Sequence, residues 1–575
     1  MNKRLISLLL ISVMILFCFA GCGEKTGEEV MNKIGEEASK DAITISMYLM
    51  SEQPVSAEQE MLMEEKVNEI TETNNNIHVD LKYFTPDKYY TQLEADLKEM
   101  KDYYGNGAVG KNNGTPVYTD ENGLPAVYYP PIEEFDVDIF YFGGYDKYAM
   151  YKDAGYLRNL DDELAGSSKE LKATINRTLI EQFKAVNGMY DAIPTNRTIG
   201  EYTYMLVNKK VLDKTAYAAS QLTSLVGKEC QDLLDIVATG YPEYVPLYSN
   251  TGVLNVLDVK YFSADAKGLS TDSFSVLGSV YNSAWVNGAE GSYPAMGSVT
   301  ADNSGCGSVI DQIAVLKDYE LKNYYGTDAD ANKPFAVGYV KGGPEVLEQY
   351  GDDYAVITVA QPTIEHEDLY ESLFAISQYT NSVSGSAEIL TMLNTNVEFR
   401  NLLLYGVEGE NYVWKDSHIL DKNGNPYRVV SRQTKDADKL YMMDVYKTGN
   451  VYIAYTADDE DPMSRQYLLK QNADLVVDYI LGFSFYDGLK SEKIDKASYE
   501  ALIALQNDAA AAYKEVVAAD TVAKYEAAMK KIADLTQSDN YKKVMAEGEE
   551  ATSPYAYYMS WLTEKALYTA PVVEQ

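Results

Sequence analysis

The residues best suited to bind a polar ligand lie in one short segment. Asn196, Arg197, Glu201 and Tyr202 stand between two β-rich stretches, and they offer amide, guanidinium, carboxylate and phenol groups for hydrogen bonds. This pattern is typical of a polar strand that passes from one lobe to another through a cleft. An ordinary exposed loop is the alternative, and Arg197 and Glu201 could instead form an ion pair with each other.

Three further candidates follow strands or lie in a polar loop. Glu52 follows the β-rich run at 43–49, and Tyr145 follows the run at 137–142. Ligands of parallel sheets bind beyond the carboxyl ends of the strands, so both residues are predicted at the edge of a site. Tyrosine offers a flat apolar face and a hydroxyl. Trp285 lies among Ser, Asn and Gly residues, and a core position is the alternative for it.

The elements that would position these residues alternate between strand and helix. Strands are predicted at 43–49, 77–84 and 137–142, with helices between them, the first capped by Ser56. This order is typical of a parallel α/β sheet. The C-terminal region is rich in Ala, Lys and Glu with apolar residues at helical spacing, which predicts a helical extension.

Composition limits the partners of the chain. Its 575 residues exceed what one hydrophobic core normally serves, so two or more packed units are expected. It has 87 acidic and 49 basic residues, a formal charge of −38. Such a charge repels phosphate backbones, and no basic cluster offsets it, which argues against nucleic-acid binding. A neutral ligand is the simpler expectation.

The N-terminus predicts export and anchoring. Lys3 and Arg4 precede an apolar run at 5–19, which is short for a membrane-spanning helix. Ala20-Gly21-Cys22 resembles the lipobox of bacterial lipoproteins. The resemblance implies a signal peptide at 1–21, acylation (palmitate) of Cys22 and a flexible tether at 22–41. The protein would then be anchored by lipid on the extracytoplasmic face of the cell membrane. An ordinary signal peptide or a retained anchor helix is the alternative.

No pattern in the chain indicates catalysis or a metal site. Two cysteines remain in the body, Cys230 and Cys306, and their spacing leaves open whether they pair. The three histidines are far apart. The turn at 421–426 has Pro426 where a calcium loop has glycine, and Arg432 stands where such a loop has glutamate. Nucleophile-elbow and zinc-protease motifs are missing. We therefore expect a binding protein without cofactor, and not an enzyme.

Five blocks resemble segments of bacterial extracellular solute-binding proteins, the carbohydrate-type class that serves ABC importers. In chain order they are Val137–Phe142 followed by Gly155–Asp161, Ala192–Asn196 with Leu206–Lys209, Leu393–Asn396, Asn401–Tyr412 and Gly482–Phe485. The resemblance covers most of the chain from Ile43 onwards. Two departures weaken any inference about the ligand: Asn411 stands where relatives often carry His, and the body is longer than usual for the class.

The resemblance implies an α/β, two-lobed periplasmic-binding-protein-like (type II) fold with hinge-crossing segments and a C-terminal helical extension. The first lobe would comprise 42–192 and 353–410, and the second 193–352 and 411–575. Closure of the lobes would capture a small polar solute, a sugar or oligosaccharide, for the permease subunits of an ABC importer. A monomer is expected. The ligand-binding candidates are Glu52, Tyr145, Asn196, Arg197, Glu201, Tyr202 and Trp285.

Two other classes stay open. A surface-anchored glycoside hydrolase would use two carboxylates, and the 87 acidic residues always allow such a pair to be found. A peptide-binding or adhesive lipoprotein would have no importer partner. Release of reducing sugar would identify the hydrolase, whereas neighbouring permease genes would favour the receptor.

Overall fold

The computed structural model describes residues 42–105, 110–112, 115–119, 125–126, 136–222, 224–256, 261–264, 269–270, 274–279, 296–301, 308–326, 333–380, 382–421, 423–432, 441–478, 481–548 and 550–565. The predicted signal peptide, the tether, Cys22, Trp285 and Cys306 lie outside these residues.

The strands of the described residues are β1 (Ile43–Met50), β2 (Ile77–Phe84), β3 (Gly110–Asn112), β4 (Thr115–Thr119), β5 (Pro125–Ala126), β6 (Ile139–Phe142), β7 (Ile193–Pro194), β8 (Tyr202–Asn208), β9 (Val245–Ser249), β10 (Tyr261–Phe262), β11 (Leu269–Ser270), β12 (Leu277–Ser279), β13 (Met296–Ser298), β14 (Tyr325–Gly326), β15 (Phe335–Gly342), β16 (Tyr354–Ala360), β17 (Thr363–Ile364), β18 (Leu373–Ile376), β19 (Tyr412–Leu420), β20 (Pro426–Arg432) and β21 (Val476–Val477).

The α-helices are α1 (Ala57–Asn75), α2 (Pro86–Gly105), α3 (Tyr145–Ala154), α4 (Asp161–Ala165), α5 (Lys169–Thr174), α6 (Arg177–Asn187), α7 (Lys209–Lys214), α8 (Lys228–Gly240), α9 (Val309–Leu321), α10 (Glu345–Tyr350), α11 (Val383–Thr395), α12 (Val397–Tyr405), α13 (Ser464–Ala473), α14 (Phe485–Lys490), α15 (Lys496–Ala518), α16 (Val522–Leu535), α17 (Asp539–Val544) and α18 (Pro554–Glu564).

The chain divides into two compact units. Of the described residues, the first comprises those within 42–140, 376–412 and 441–444, and the second those within 141–375, 413–432 and 445–565. In the first unit β1 pairs in parallel with β2 along its whole length and with the start of β6. Ser56 caps α1 by accepting a hydrogen bond from the Gln59 amide. The strand–helix–strand order predicted for this part of the chain is confirmed.

The second unit contains a five-stranded mixed sheet in the order β14-β9-β15-β8-β16. Strand β8 lies antiparallel to β15 and to β16, whereas β9 is parallel to β15 and β14. One apolar core of this unit surrounds Cys230, a buried free thiol whose pKa burial raises to about 12. The neutral thiol therefore packs as a small apolar side chain.

The predicted C-terminal helices are confirmed, and they are part of the second unit. Helices α14 to α18 share an apolar core with the antiparallel sheet β11-β10-β12-β13. Phe262 packs edge-to-face on Tyr558 of α18 at a centroid distance of 4.9 Å, and Phe483 lies 5.0 Å from the same ring. These helices are therefore integrated into a core.

The compact units and the predicted lobes differ at residues 353–375, 411–412 and 433–444, and most of all in the placement of residues 141–192. We predicted this segment in the first lobe, but it lies in the second unit, where Tyr370 Oη donates to Asn187 Oδ1 at 2.8 Å. Compact units reflect packing, whereas lobes are defined by a closing motion. The lobe boundaries therefore stay a prediction.

None of the helices in the described ranges combines the length and the apolar character that crossing a bilayer requires.

Candidate functional site

The candidate site is built at the carboxyl end of β6, in the second unit. Two glycines make the turn from this strand into α3, which begins at Tyr145. Gly144 has a φ of 95°, a conformation that favours glycine. A Cβ atom on Gly143 would lie 2.4 Å from the carbonyl oxygen of Glu371. The two glycines therefore let the chain turn directly against the backbone of Glu371.

Tyr145 is half-buried against two other rings. Its ring centroid lies 4.8 Å from that of His366 and 5.0 Å from that of Tyr370, both edge-to-face. The Gly144 amide donates to the Tyr370 carbonyl at 2.7 Å, which ties the turn to the same segment. Burial, followed by the charge of Asp487, raises the pKa of Tyr145. Its hydroxyl is therefore a neutral hydrogen-bond donor at physiological pH.

Arg197 is committed to two carboxylates. One of its terminal nitrogens (Nη2) lies 2.9 Å from Asp368 Oδ1 and 2.6 Å from Glu371 Oε2. The Arg197 side chain is 7% exposed and that of Asp368 15%, whereas that of Glu371 is 64% exposed. Burial raises the pKa of Asp368, although the Arg197 charge acts in the opposite direction. Arg197 thus holds Glu371 in place, and Glu371 presents its carboxylate to solvent.

The partner of Arg197 resolves one alternative from the sequence. Its ion pairs run to the 366–371 segment rather than to Glu201, which is exposed at the start of β8. Charge-assisted hydrogen bonds of this kind fix the geometry of an arginine and of its acidic partners. Direct ligand binding by Arg197 gains no support from this geometry.

Asn196 is a fully buried residue that stabilises its own segment. Its Oδ1 accepts from the Asn176 amide at 2.7 Å, and its Nδ2 donates to the Thr174 carbonyl at 2.9 Å. Both ends of the amide are bonded within the chain, which supports a structural role for Asn196; its ligand contact stays a prediction.

Helix α13 fixes the rest of the crossing segment. Asn472 Nδ2 donates to the Arg197 carbonyl at 2.5 Å, and its Oδ1 accepts from the Ile199 amide at 3.2 Å. Gln471 Nε2 donates to the carbonyls of Ile199 and Gly200. Backbone groups of Arg197, Ile199 and Gly200 are therefore bonded to side chains of α13.

Tyr202 is also held within the second unit. Its hydroxyl donates to Asp474 Oδ2 at 2.6 Å, and its ring stacks on Tyr204 at 5.4 Å. The side chain is buried at the start of β8. This geometry gives the Tyr202 hydroxyl a partner inside the protein, and its ligand contact stays a prediction.

Glu52 belongs to the first unit. Its amide donates to the Met442 carbonyl at 2.9 Å directly beyond β1, and the residue is half-buried. The prediction that Glu52 follows a parallel strand is confirmed. Its role in binding a ligand stays a prediction, as does that of Trp285.

The sequence reasoning missed the segment that completes the site. His366, Asp368, Tyr370 and Glu371 lie between β17 and β18, and they surround Tyr145 and Arg197. A detectable signal was present, because this segment is acidic and aromatic and stands between two β-rich runs, as 196–202 does. Within the described ranges, no group of three or more His, Cys, Asp or Glu residues is arranged to hold a metal ion.

Several solved structures are similar to this chain. An N-glycan transport solute-binding protein of Streptococcus pneumoniae shares 18% identity, with 90% of this chain and 100% of that chain covered and a TM-score of 0.49. An extracellular solute-binding protein of Bifidobacterium longum subsp. infantis shares 13% identity, with 87% and 97% covered and a TM-score of 0.44. A family 1 extracellular solute-binding protein of Alicyclobacillus acidocaldarius shares 12% identity, with 87% and 98% covered and a TM-score of 0.39.

All three of these structures are solute-binding proteins. No protein family matches the chain, and neither does any curated protein. At TM-scores below 0.5 the likeness carries no conclusion about the ligand.

Proposed function

We propose that this protein is the substrate-binding component of an ABC importer and captures a sugar or oligosaccharide. The observation that carries the proposal is the exposed Glu371 carboxylate, which pairs with buried Arg197 and directly follows Tyr370, whose ring contacts that of Tyr145. Sugars present hydroxyls at the ring edge and C–H groups on the ring faces. A fixed carboxylate accepts the hydroxyls, and an aromatic face covers the C–H groups.

The expected energies are sufficient for a receptor. A hydrogen bond to a charged group contributes about 1.5–3 kcal/mol. Micromolar affinity requires about 8 kcal/mol in total. A few bonds to carboxylates and one or two aromatic contacts therefore suffice after the cost of ordering the ligand.

The proposal includes the delivery system. Cys22 would carry the lipid anchor, residues 22–41 would form the tether, and the permease subunits would receive the sugar from a monomeric receptor. Two lobes, 42–192 with 353–410 and 193–352 with 411–575, would close on the ligand. Glu52, Glu201 and Trp285 remain candidate contacts. Arg197 enters as the residue that positions Glu371, and Asn196 and Tyr202 as structural residues.

A thermal-shift screen of the full-length protein in detergent tests the binding proposal. The panel contains maltose, mannopentaose, lacto-N-tetraose, 3′-sialyllactose and a tetrapeptide. A sugar at about 100 times its Kd should add about 2.7 kcal/mol to the free energy of unfolding. Stabilisation by the peptide and by none of the sugars would overturn the sugar assignment, and release of reducing sugar would overturn the receptor.

Two sets of variants sharpen the test. Glu371→Gln should lose sugar binding, whereas Glu229→Gln, an exposed glutamate in α8, should retain it. Equal affinity of the two variants would remove Glu371 from the site. For the anchor, Cys22→Ser should move the protein from the membrane fraction to the medium and abolish labelling with palmitate.

A further inference from the structure

A largely buried ion pair adjoins the rings that support Tyr145. The Nζ of Lys152, in the last turn of α3, lies 3.1 Å from Oδ2 of Asp191. The Asp191 side chain is 3% exposed and that of Lys152 35%. The same ammonium donates to the carbonyl of Asn187 at 3.3 Å, where α6 ends. The pair therefore joins α3, the end of α6 and the segment that leads into β7.

Tyr148 connects this ion pair to the aromatic rings. Its hydroxyl donates to the Asp191 carboxylate, 2.9 Å from Oδ1 and 3.0 Å from Oδ2, and accepts from the Lys152 ammonium at 2.8 Å. The Tyr148 ring lies 4.8 Å from that of Tyr370 and 5.8 Å from that of Phe183. Only 2% of Tyr148 is exposed. Its hydroxyl is therefore bonded within the protein, and its ring is enclosed by other rings.

Tyr370 extends the arrangement to the site. Its hydroxyl donates to Asn187 Oδ1 at 2.8 Å, next to the carbonyl that Lys152 contacts. Its ring lies 5.0 Å from that of Tyr145, and Glu371 follows it directly in the chain. An unbroken series of ion pair, hydrogen bonds and ring contacts therefore runs from Lys152 to Tyr145.

Stability alone does not account for the ion pair. A buried carboxylate loses its hydration, and this loss offsets much of the attraction to its partner. Burial raises the pKa of Asp191 in spite of the opposing charge of Lys152, which reflects the same cost. A carboxylate that is paired and hydrogen-bonded does, however, fix the geometry of the groups that bond to it.

We propose that Lys152 and Asp191 are positioning residues of the ligand site. They hold the ring of Tyr148 against that of Tyr370, so that Tyr145 keeps the placement in which it meets a sugar. This inference rests on the proposed function, and neither member of the ion pair touches the ligand in it. Contact groups of a binding site must be held to within about 0.5 Å by the residues behind them, so loosening this support should weaken binding.

The first experiment needs no ligand. In protein with ¹³C-labelled tyrosine rings, the Tyr145 signals are assigned through Tyr145→Phe. Asp191→Asn changes no aromatic ring, and it should shift the Tyr145 signals because the rings move. Asp235→Asn is the matched control, since Asp235 accepts from the Tyr324 hydroxyl at 2.7 Å at the surface of the same unit. It should leave these signals unchanged. Unchanged Tyr145 signals in folded Asp191→Asn would overturn the proposal.

The second experiment measures sugar affinity by isothermal titration calorimetry. The probe is the neutral sugar that the original protein binds most tightly among maltose, mannopentaose and lacto-N-tetraose. Tyr148→Phe retains the ring and the Lys152–Asp191 pair, so no buried charge loses its partner. It removes only the hydroxyl between the pair and the rings, and it should weaken binding by more than about twofold. Tyr324→Phe, its matched control, should bind as the original protein does.

The two measurements separate positioning from stability. Affinity of Tyr148→Phe within about twofold of the original protein would overturn the proposal. A lower melting temperature with unchanged affinity and unchanged Tyr145 signals would assign the ion pair to stability alone. If the original protein binds no sugar of the panel, the proposed function fails and the ligand role of the ion pair fails with it. The tyrosine signals then still decide whether the pair positions Tyr145.

Discussion

Two polar regions of the second unit differ in what their side chains are used for. The crossing segment at 196–200 is bonded inwards, with Asn196, Asn472 and Gln471 satisfying its backbone and side-chain groups. The segment at 366–371 holds one acid, Asp368, against Arg197 and turns another, Glu371, to solvent. Both segments are polar in sequence. A ligand site is therefore recognised by hydrogen-bonding capacity that the protein leaves unused, and not by residue type alone.

The largest effect should come from removing the cation that links the two regions. Arg197→Met leaves Asp368 buried without its counter-charge, and we expect a loss of about 3–5 kcal/mol in the free energy of unfolding. The pKa of Asp368, already raised by burial, should rise further. The charged form is then the costly one, so the loss should shrink as pH falls and Asp368 takes up a proton.

Urea unfolding followed by circular dichroism at several pH values measures this change. Arg177→Met is the matched control, because Arg177 is exposed and pairs with Glu181 within one helix. It should cost no more than about 0.5 kcal/mol. If Arg197→Met loses little unfolding free energy, and the loss does not change with pH, the description of the crossing segment as bonded inwards is contradicted.

Removal of the amide that clamps the crossing segment should have the next largest effect. Asn472→Ala leaves the buried Ile199 amide and the Arg197 carbonyl without these hydrogen bonds. It should destabilise the protein by about 2–3 kcal/mol. Gln466→Ala, at an exposed position of the same helix, should leave the midpoint of urea unfolding unchanged. Equal midpoints for the two variants would mean that the segment does not depend on α13.

Asp495 and Asp487 both lie near helix starts, but their pKa values are shifted in opposite directions, so the two should change stability oppositely with pH. Asp495 caps α15 and accepts from the amide and hydroxyl of Ser498 and from the Thr552 hydroxyl, and these bonds lower its pKa below 3.8. Asp495→Ala should cost about 1 kcal/mol at neutral pH. Since this stabilisation exists above the unfolded-state pKa and is lost as pH falls through the folded one, the variant and the original should converge in acid.

Asp487 should behave in the opposite way, because burial raises its pKa above 3.8. Its charged form lowers stability above the folded-state pKa, so Asp487→Asn should stabilise the protein slightly at neutral pH. The gain should vanish as pH falls below the unfolded-state value. Thermal unfolding between pH 3 and pH 7 measures the stability of each variant relative to the original protein. If this difference changes with pH in the same direction for Asp495→Ala and Asp487→Asn, the contrast is refuted.

The smallest effect on stability is expected at the exposed acid itself. Glu371→Gln removes a 64% exposed partner of Arg197 and should change the free energy of unfolding by about 1 kcal/mol or less. Its effect on sugar affinity should be much larger than that. A variant that loses stability in proportion to its affinity would indicate that Glu371 is a structural residue.

Much of the local structure was predictable because it depends on short-range patterns. The alternation of strands and helices from Ile43 to Phe142 and the Ser56 cap follow from side-chain periodicity and capping chemistry. Tyr145 was predicted from its place after a parallel strand, which is also a local signal. The roles of Asn196, Arg197 and Tyr202 were not predictable, because their partners lie in α13 and in the 366–371 segment, far along the chain.

Sequence by itself determined the α/β class, the order of the elements, the acidic charge and the C-terminal helices, since each depends on composition or on spacing within one element. Only the tertiary structure decided that Arg197 faces Asp368 and Glu371, that Asn196 is enclosed, and that the Tyr145 ring lies against those of His366 and Tyr370. The physical reason is that a polar side chain is structural or functional according to whether folding supplies it with a partner, and that partner is chosen by packing.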